Sequence, residues 1–88
     1  MRVVCVWRDN TDYAREVNEW LREFERRDIG EIESLDPDTI EGEIFCSAHD
    51  VVEYPTIIAV DDQGRELQTW RGTPMPLIDE FSYYSREN

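Results

Sequence analysis

Few residues in this chain can act as nucleophiles or bases. It holds two cysteines, Cys5 and Cys46, and a single histidine, His49. A thiolate can attack a disulfide, and an imidazole can carry a proton to or from a reacting group. The cysteines lie far apart, so they form neither a C-x-x-C pair nor the clustered ligand set of a zinc site. Cys5 sits inside the apolar run Val3-Val4-Cys5-Val6-Trp7, where a small core hydrophobe is expected. Cys46 falls in a helical stretch. A helical wheel places Ile40, Ile44 and Ala48 on one face and Cys46 nearly opposite, which exposes its thiol. A structural Cys46 and a reactive one both stand open. A Cys5–Cys46 disulfide is a third arrangement, which requires Cα atoms within about 7 Å. His49 has no nucleophile beside it in sequence and reads as a packing or helix-end group. The acidic pairs Asp9/Asp12, Asp36/Asp38 and Asp61/Asp62 can attract a hard cation. None has the spacing of a calcium loop. Turn and cap chemistry accounts for them, so no metal site and no cofactor are expected.

Composition narrows the function classes. The chain has 88 residues and a formal net charge of −12. That length suits one small domain over residues 1–88 with a single core. Phosphate backbones and anionic lipid surfaces repel such a surface, so neither nucleic acid nor membrane is an expected partner. No apolar run approaches the roughly 20 residues that span a bilayer. The opening apolar run is too short for a signal-peptide core and lacks a small-residue cleavage site, so a cytoplasmic location with reduced thiols is expected. All nine basic residues are arginine, a bias with no physical explanation in this fold.

The elements that position these residues follow from periodicity. Val3 to Trp7 reads as a buried strand. Arg8 to Asp12 is a polar turn in which Asn10 or Thr11 can cap a helix, with Asp12 in its first turn. Tyr13, Val17, Trp20, Leu21 and Phe24 then follow i, i+4, i+7, i+8, i+11, one apolar stripe. Gly30 lies just beyond that helix, where a left-handed cap is common. Glu31 to Leu35 alternates as a half-buried strand. Asp38 or Thr39 caps a second helix over Ile40 to His49. Pro55 belongs at the first step of a strand or on an edge. Ile57, Ile58 and Val60 then form a strand buried on both faces. The turn Asp61-Asp62-Gln63-Gly64 joins it to Glu66–Arg71 as a hairpin. Thr73-Pro74 reads as a helix start, with Leu77, Ile78, Phe81 and Tyr84 on the apolar face and Ser85 to Asn88 frayed. The first two strands, joined through a helix, are expected to be parallel with a right-handed crossover.

This β-α-β-α-β-β-α order resembles the thioredoxin-like fold in its smallest, glutaredoxin-sized form, over nearly the whole chain. Tyr54-Pro55-Thr56-Ile57-Ile58 resembles the segment in which that family places an apolar residue, a cis-proline and commonly Thr. Gly64 and Gly72 match the glycines that flank its last strand. The resemblance implies an α/β three-layer sandwich with a mixed four-stranded sheet and a cis Pro55. It also implies that Cys46 packs inward beside Phe45, against the helical wheel. The family's C-x-x-C or C-x-x-S motif sits between the first strand and first helix, where a helix N-terminus lowers the thiol pKa. Here that segment reads Arg8-Asp9-Asn10-Thr11-Asp12-Tyr13-Ala14. It brings no cysteine, and its aspartates would oppose a thiolate.

Three functions follow. The first is a redox-inactive module that holds a protein or extended peptide in a groove built from Asn10, Thr11, Asp12, Tyr13, Tyr54, Pro55 and Thr56. Main-chain pairing of that kind needs no cysteine. The second is an atypical thiol-disulfide oxidoreductase using Cys46, with or without Cys5. The third is a subunit that self-associates through exposed aromatics. The sequence leaves the oligomeric state open.

Overall fold

The computed structural model describes the backbone of residues 1–86 and the side chains of residues 1–83. Its elements are β1 (Arg2–Val6), α1 (Ala14–Arg27), β2 (Glu31–Leu35), α2 (Ile40–His49), β3 (Thr56–Val60), β4 (Glu66–Arg71) and α3 (Asp79–Arg86). The four strands form one mixed sheet in the order β2-β1-β3-β4. β1 pairs parallel with β2 and antiparallel with β3, and β3 pairs antiparallel with β4. The central strands β1 and β3 are therefore the apolar ones. Val3, Val4, Cys5, Val6, Ile57, Ile58 and Ala59 are all buried, as expected for strands covered on both faces.

Alternation along these strands divides the core into two layers. Val3, Cys5, Trp7, Ile57 and Ala59 face α1 and α3, where they meet Val17, Trp20, Phe24, Ile78 and Phe81. Val4, Val6, Ile58 and Val60 face the other way, toward Phe45 and Cys46 of α2 and toward Tyr54. A disulfide between Cys5 and Cys46 is therefore excluded. The residues belong to opposite faces of the sheet, and both thiols are free. The helical wheel for α2 is also corrected. Ile40 and Ile44 are exposed and Cys46 is half-buried, so the helix turns Gly42, Phe45 and Cys46 inward.

Several boundaries differ from expectation, each for a local reason. Neither Asn10 nor Thr11 caps α1. The Thr11 hydroxyl donates instead to the Arg8 carbonyl at 2.9 Å, and the helix begins after Tyr13 without a side-chain cap. At the other end Asp28, not Gly30, takes the left-handed position, with φ 51°. Aspartate tolerates that conformation better than most side chains. Thr39 does cap α2, its Oγ1 accepting from the Gly42 N–H at 3.0 Å. In the β3–β4 turn the Asp61 carboxylate accepts the N–H groups of Gln63 and Arg65, and Gly64 has φ 82°.

The largest correction concerns α3. It starts at Asp79, not at Thr73-Pro74. Thr73 and Met75 each precede a proline, and a residue in that position is pushed out of helical conformation. The segment between Gly72 and Ile78 is irregular, bending at residues 72–74, and is bonded to α1. The Met75 N–H donates to the Glu16 carboxylate, and the Trp20 indole donates to the Pro76 carbonyl at 2.8 Å. Leu77 is exposed, while Ile78 and Phe81 enter the core. The Tyr84 side chain lies outside the described side chains. Ser85 and Arg86 are helical. Residues 87 and 88, where fraying is also expected, lie outside the described residues. The Tyr54–Pro55 and Thr73–Pro74 peptide bonds are cis. Among the described residues no helix is long and apolar enough to cross a membrane.

Candidate functional site

The candidate site lies where β1 ends and β3 begins, because Val6 and Thr56 are paired across the sheet. Three loops converge there: Trp7 to Tyr13, Asp36 to Thr39, and Val51 to Pro55. The side chain at their centre is Arg8. Its guanidinium makes a two-pronged contact with Asp38, both bonds at 3.0 Å, and lies 4.6 Å from the centre of the Tyr54 ring. Stacking of a guanidinium on an aromatic face is favourable electrostatically. Both charged side chains are well exposed, so the ion pair positions more than it stabilises. The Arg8 N–H donates to the Tyr13 hydroxyl at 3.1 Å. Arg8 thus ties Tyr13, Asp38 and Tyr54, from three separate segments, into one surface.

The electrostatics follow from these contacts. Hydrogen bonding to Arg8 holds the Asp38 carboxyl below its ordinary pKa, and Asp38 in turn raises that of Arg8. Burial raises the Tyr54 phenol, the nearby Cys46 thiol adds to the rise, and Arg8 opposes it. Arg8 and Asp38 were not among the expected groove residues. Arg8 directly follows an apolar strand, and Asp38 is accounted for by turn chemistry. Only the fold shows that the two loops meet.

Of the seven expected groove residues, Thr11 is half-buried and bonded to the Arg8 carbonyl, and the other six divide into three sets. Tyr54 and Tyr13 are half-buried and meet around Arg8. Pro55 and Thr56 are almost fully buried and form the floor. The Pro55 carbonyl accepts from the Gly72 N–H at 2.7 Å, and the Thr56 hydroxyl donates to the Glu53 carbonyl at 2.7 Å. Asn10 and Asp12 are exposed and take no hydrogen-bond partner among the described residues. The Tyr54 main chain likewise takes no backbone hydrogen bond among the described residues, which leaves its N–H and C=O open.

The two thiols differ in exposure. Cys5 is fully buried, and desolvation pushes its pKa up to about 12. The thiolate is the attacking species, and burial of Cys5 disfavours it. Cys46 lies in the second half of α2, away from the helix N-terminus that would favour a thiolate. Thiol titration in native buffer is expected to modify at most Cys46, with Cys5 reacting only after denaturant is added. Rapid modification of both would contradict the burial of Cys5. His49 packs against Phe45, ring centres 4.4 Å apart, and its Nδ1 lies 3.0 Å from Glu66 Oε1. It is thereby held at the end of α2, between that helix and β4, rather than beside a nucleophile.

A shallow cleft of about 810 Å³ lies at the opposite end of the sheet, lined by Met1, Arg2, Asp28, Gly30 and the Asp61–Gly64 turn. It is remote from Pro55 and carries none of the residues just described.

No protein-family model matches this chain, and no curated protein matches it. Among solved structures it is similar to thioredoxin 1 from the thermophilic eubacterium Thermosipho africanus TCF52B, with a TM-score of 0.72. The two are 16% identical, and the match covers 99% of this chain and 93% of that one. Together with the sheet order and the helices on both faces, this likeness shows that the chain has the thioredoxin-like fold.

Proposed function

We propose that this protein is a redox-inactive binding module of the cytoplasm that holds an extended segment of a partner protein along the Tyr54–Pro55 edge. The observation that carries the reading is the character of the β1–α1 loop. It presents Arg8, clamped by Asp38 over Tyr54, and no cysteine. The Tyr54 main chain supplies an open donor and acceptor, which suit pairing with an extended chain. Asp9, Asp12, Asp36 and Glu53 are exposed around the site, so a segment carrying Lys or Arg is favoured over an acidic one.

Screening immobilised extended peptides against the native chain tests the reading. Basic peptides are expected to bind, and Tyr54→Ala is expected to weaken them about tenfold, the loss typical of a central aromatic anchor. Binding that survives Tyr54→Ala unchanged would remove the groove. A disulfide-reductase activity that Cys46→Ser abolishes would replace this reading with the oxidoreductase one, in which Cys46 acts as a single thiol beside Tyr54.

A further inference from the structure

Helix α2 is apolar on two sides. Phe45 and Cys46 face the sheet, while Ile40 and Ile44 point outward, 78% and 66% exposed. Ala48 continues the outer stripe at i+8, and Val52, just past the helix, is 82% exposed. Large aliphatic side chains grouped on one face mark an interaction surface, whereas scattered ones do not. Beside the stripe a groove of about 330 Å³ runs between α2 and the edge strand β2, floored by Leu35 and Phe45 and walled by Ile44 and Ala48.

Charge indicates what covers it. Glu33 and Glu41 stand on the groove's rim. Among the described residues, the one basic group lining it, Arg2, is engaged by Glu33 through bonds of 2.9 and 2.8 Å. From Asp36 to Glu53 the chain has no Lys or Arg and carries six carboxylates; Asp38 is paired with Arg8, which leaves those at 36, 41, 43, 50 and 53. A second copy would bring the same carboxylates and a further net charge of −12, and like charges facing each other are costly. An apolar stripe framed by acids is complementary to an apolar stripe framed by bases.

We propose that the outer face of α2, formed by Ile40, Ile44 and Ala48 with the adjoining groove, docks a basic amphipathic helix of a partner protein. In helix-in-groove recognition the incoming amphipathic helix lays apolar anchors at i, i+3, i+4 and i+7 into such a groove. The surface shares no residue with the Pro55 site, so this docking does not depend on the function proposed above.

The test uses the full chain, isotope-labelled, titrated at low salt with a synthetic Leu/Lys amphipathic helix and followed by amide chemical shifts. The shifts are expected to concentrate at Ile40, Ile44 and Ala48. Ile44→Gln leaves the charge unchanged and is expected to weaken binding about tenfold, as is Ile40→Gln. Both positions are exposed, so each variant is expected to keep the parent circular dichroism spectrum, and either one suffices. Tyr54→Ala is expected to have no effect. Shifts scattered over the acidic surface and insensitive to both glutamine variants would reduce the contact to charge alone and overturn the proposal. Equal binding of a Leu/Glu helix would overturn it too. So would a concentration-dependent dimer in light scattering that Ile44→Gln abolishes, because the occupant would then be a second copy.

Discussion

Replacing Phe81 with alanine is expected to destabilise the protein by about 3–5 kcal/mol, the range for truncating a fully buried phenylalanine. Phe81 is 0% exposed. Its ring lies 5.5 Å from that of Trp20 and 5.3 Å from that of Phe24, both on α1, and 4.5 Å from that of Trp70 on β4. Two of these contacts are edge-on, a geometry that adds to the burial itself. One side chain therefore joins α3, α1 and the edge strand β4. A chain of this size has a total stability of about 4–13 kcal/mol, so the loss is a large share of it. Thermal unfolding followed by circular dichroism is expected to shift down by roughly 15–30 °C. A shift under about 5 °C would mean that α3 does not anchor the aromatic layer.

Gly42→Ala is expected to destabilise as well, against the usual rule. Alanine in a helix interior is ordinarily better than glycine by about 1 kcal/mol. Here a Cβ at Gly42 would lie 1.9 Å from the Asp36 carbonyl oxygen and 2.9 Å from the Pro37 Cα. Those are backbone atoms, so no side-chain rotation relieves the clash. The first turn of α2 must move away from the Asp36–Thr39 loop, at a cost of about 1–3 kcal/mol for overpacking. The same loop holds Asp38 against Arg8, so the variant is also expected to loosen the Arg8–Tyr54 stack and weaken peptide binding at the Pro55 site. Urea unfolding reads the stability. A raised midpoint would show that the loop yields freely, and that Gly42 is not there for close approach.

Much of the fold was legible because its signals are local. The β-branched run around Cys5 and the one after Pro55 read correctly as the two central strands. The Val17, Trp20 and Phe24 spacing placed α1. Thr39 capped α2 as its position suggested. The misreadings came where local preference competes with tertiary contact. Thr73-Pro74 has the form of a helix start, but a second proline at 76 and the bonds to Glu16 and Trp20 keep that segment out of the helix. Asp28 replaces Gly30 at the α1 terminus because one residue in a left-handed conformation is enough to end the helix. On α2, a wheel alone could not say which of two apolar faces is buried. The sheet decides, and it takes Phe45 and Cys46.

By itself the sequence determined the element order, the identity of the buried strands, the lack of a paired-thiol motif and the strongly acidic surface. All of these follow from residue type and from periods of two or 3.6 along the chain. Only the tertiary structure decided which residues meet. It put Cys5 and Cys46 on opposite faces of the sheet, brought Arg8 from one loop and Asp38 from another over Tyr54, and left Ile40 and Ile44 facing outward. The physical reason is that such contacts depend on how layers stack across the sheet. A residue's neighbours in sequence constrain its conformation but not what the far side of the fold presents to it.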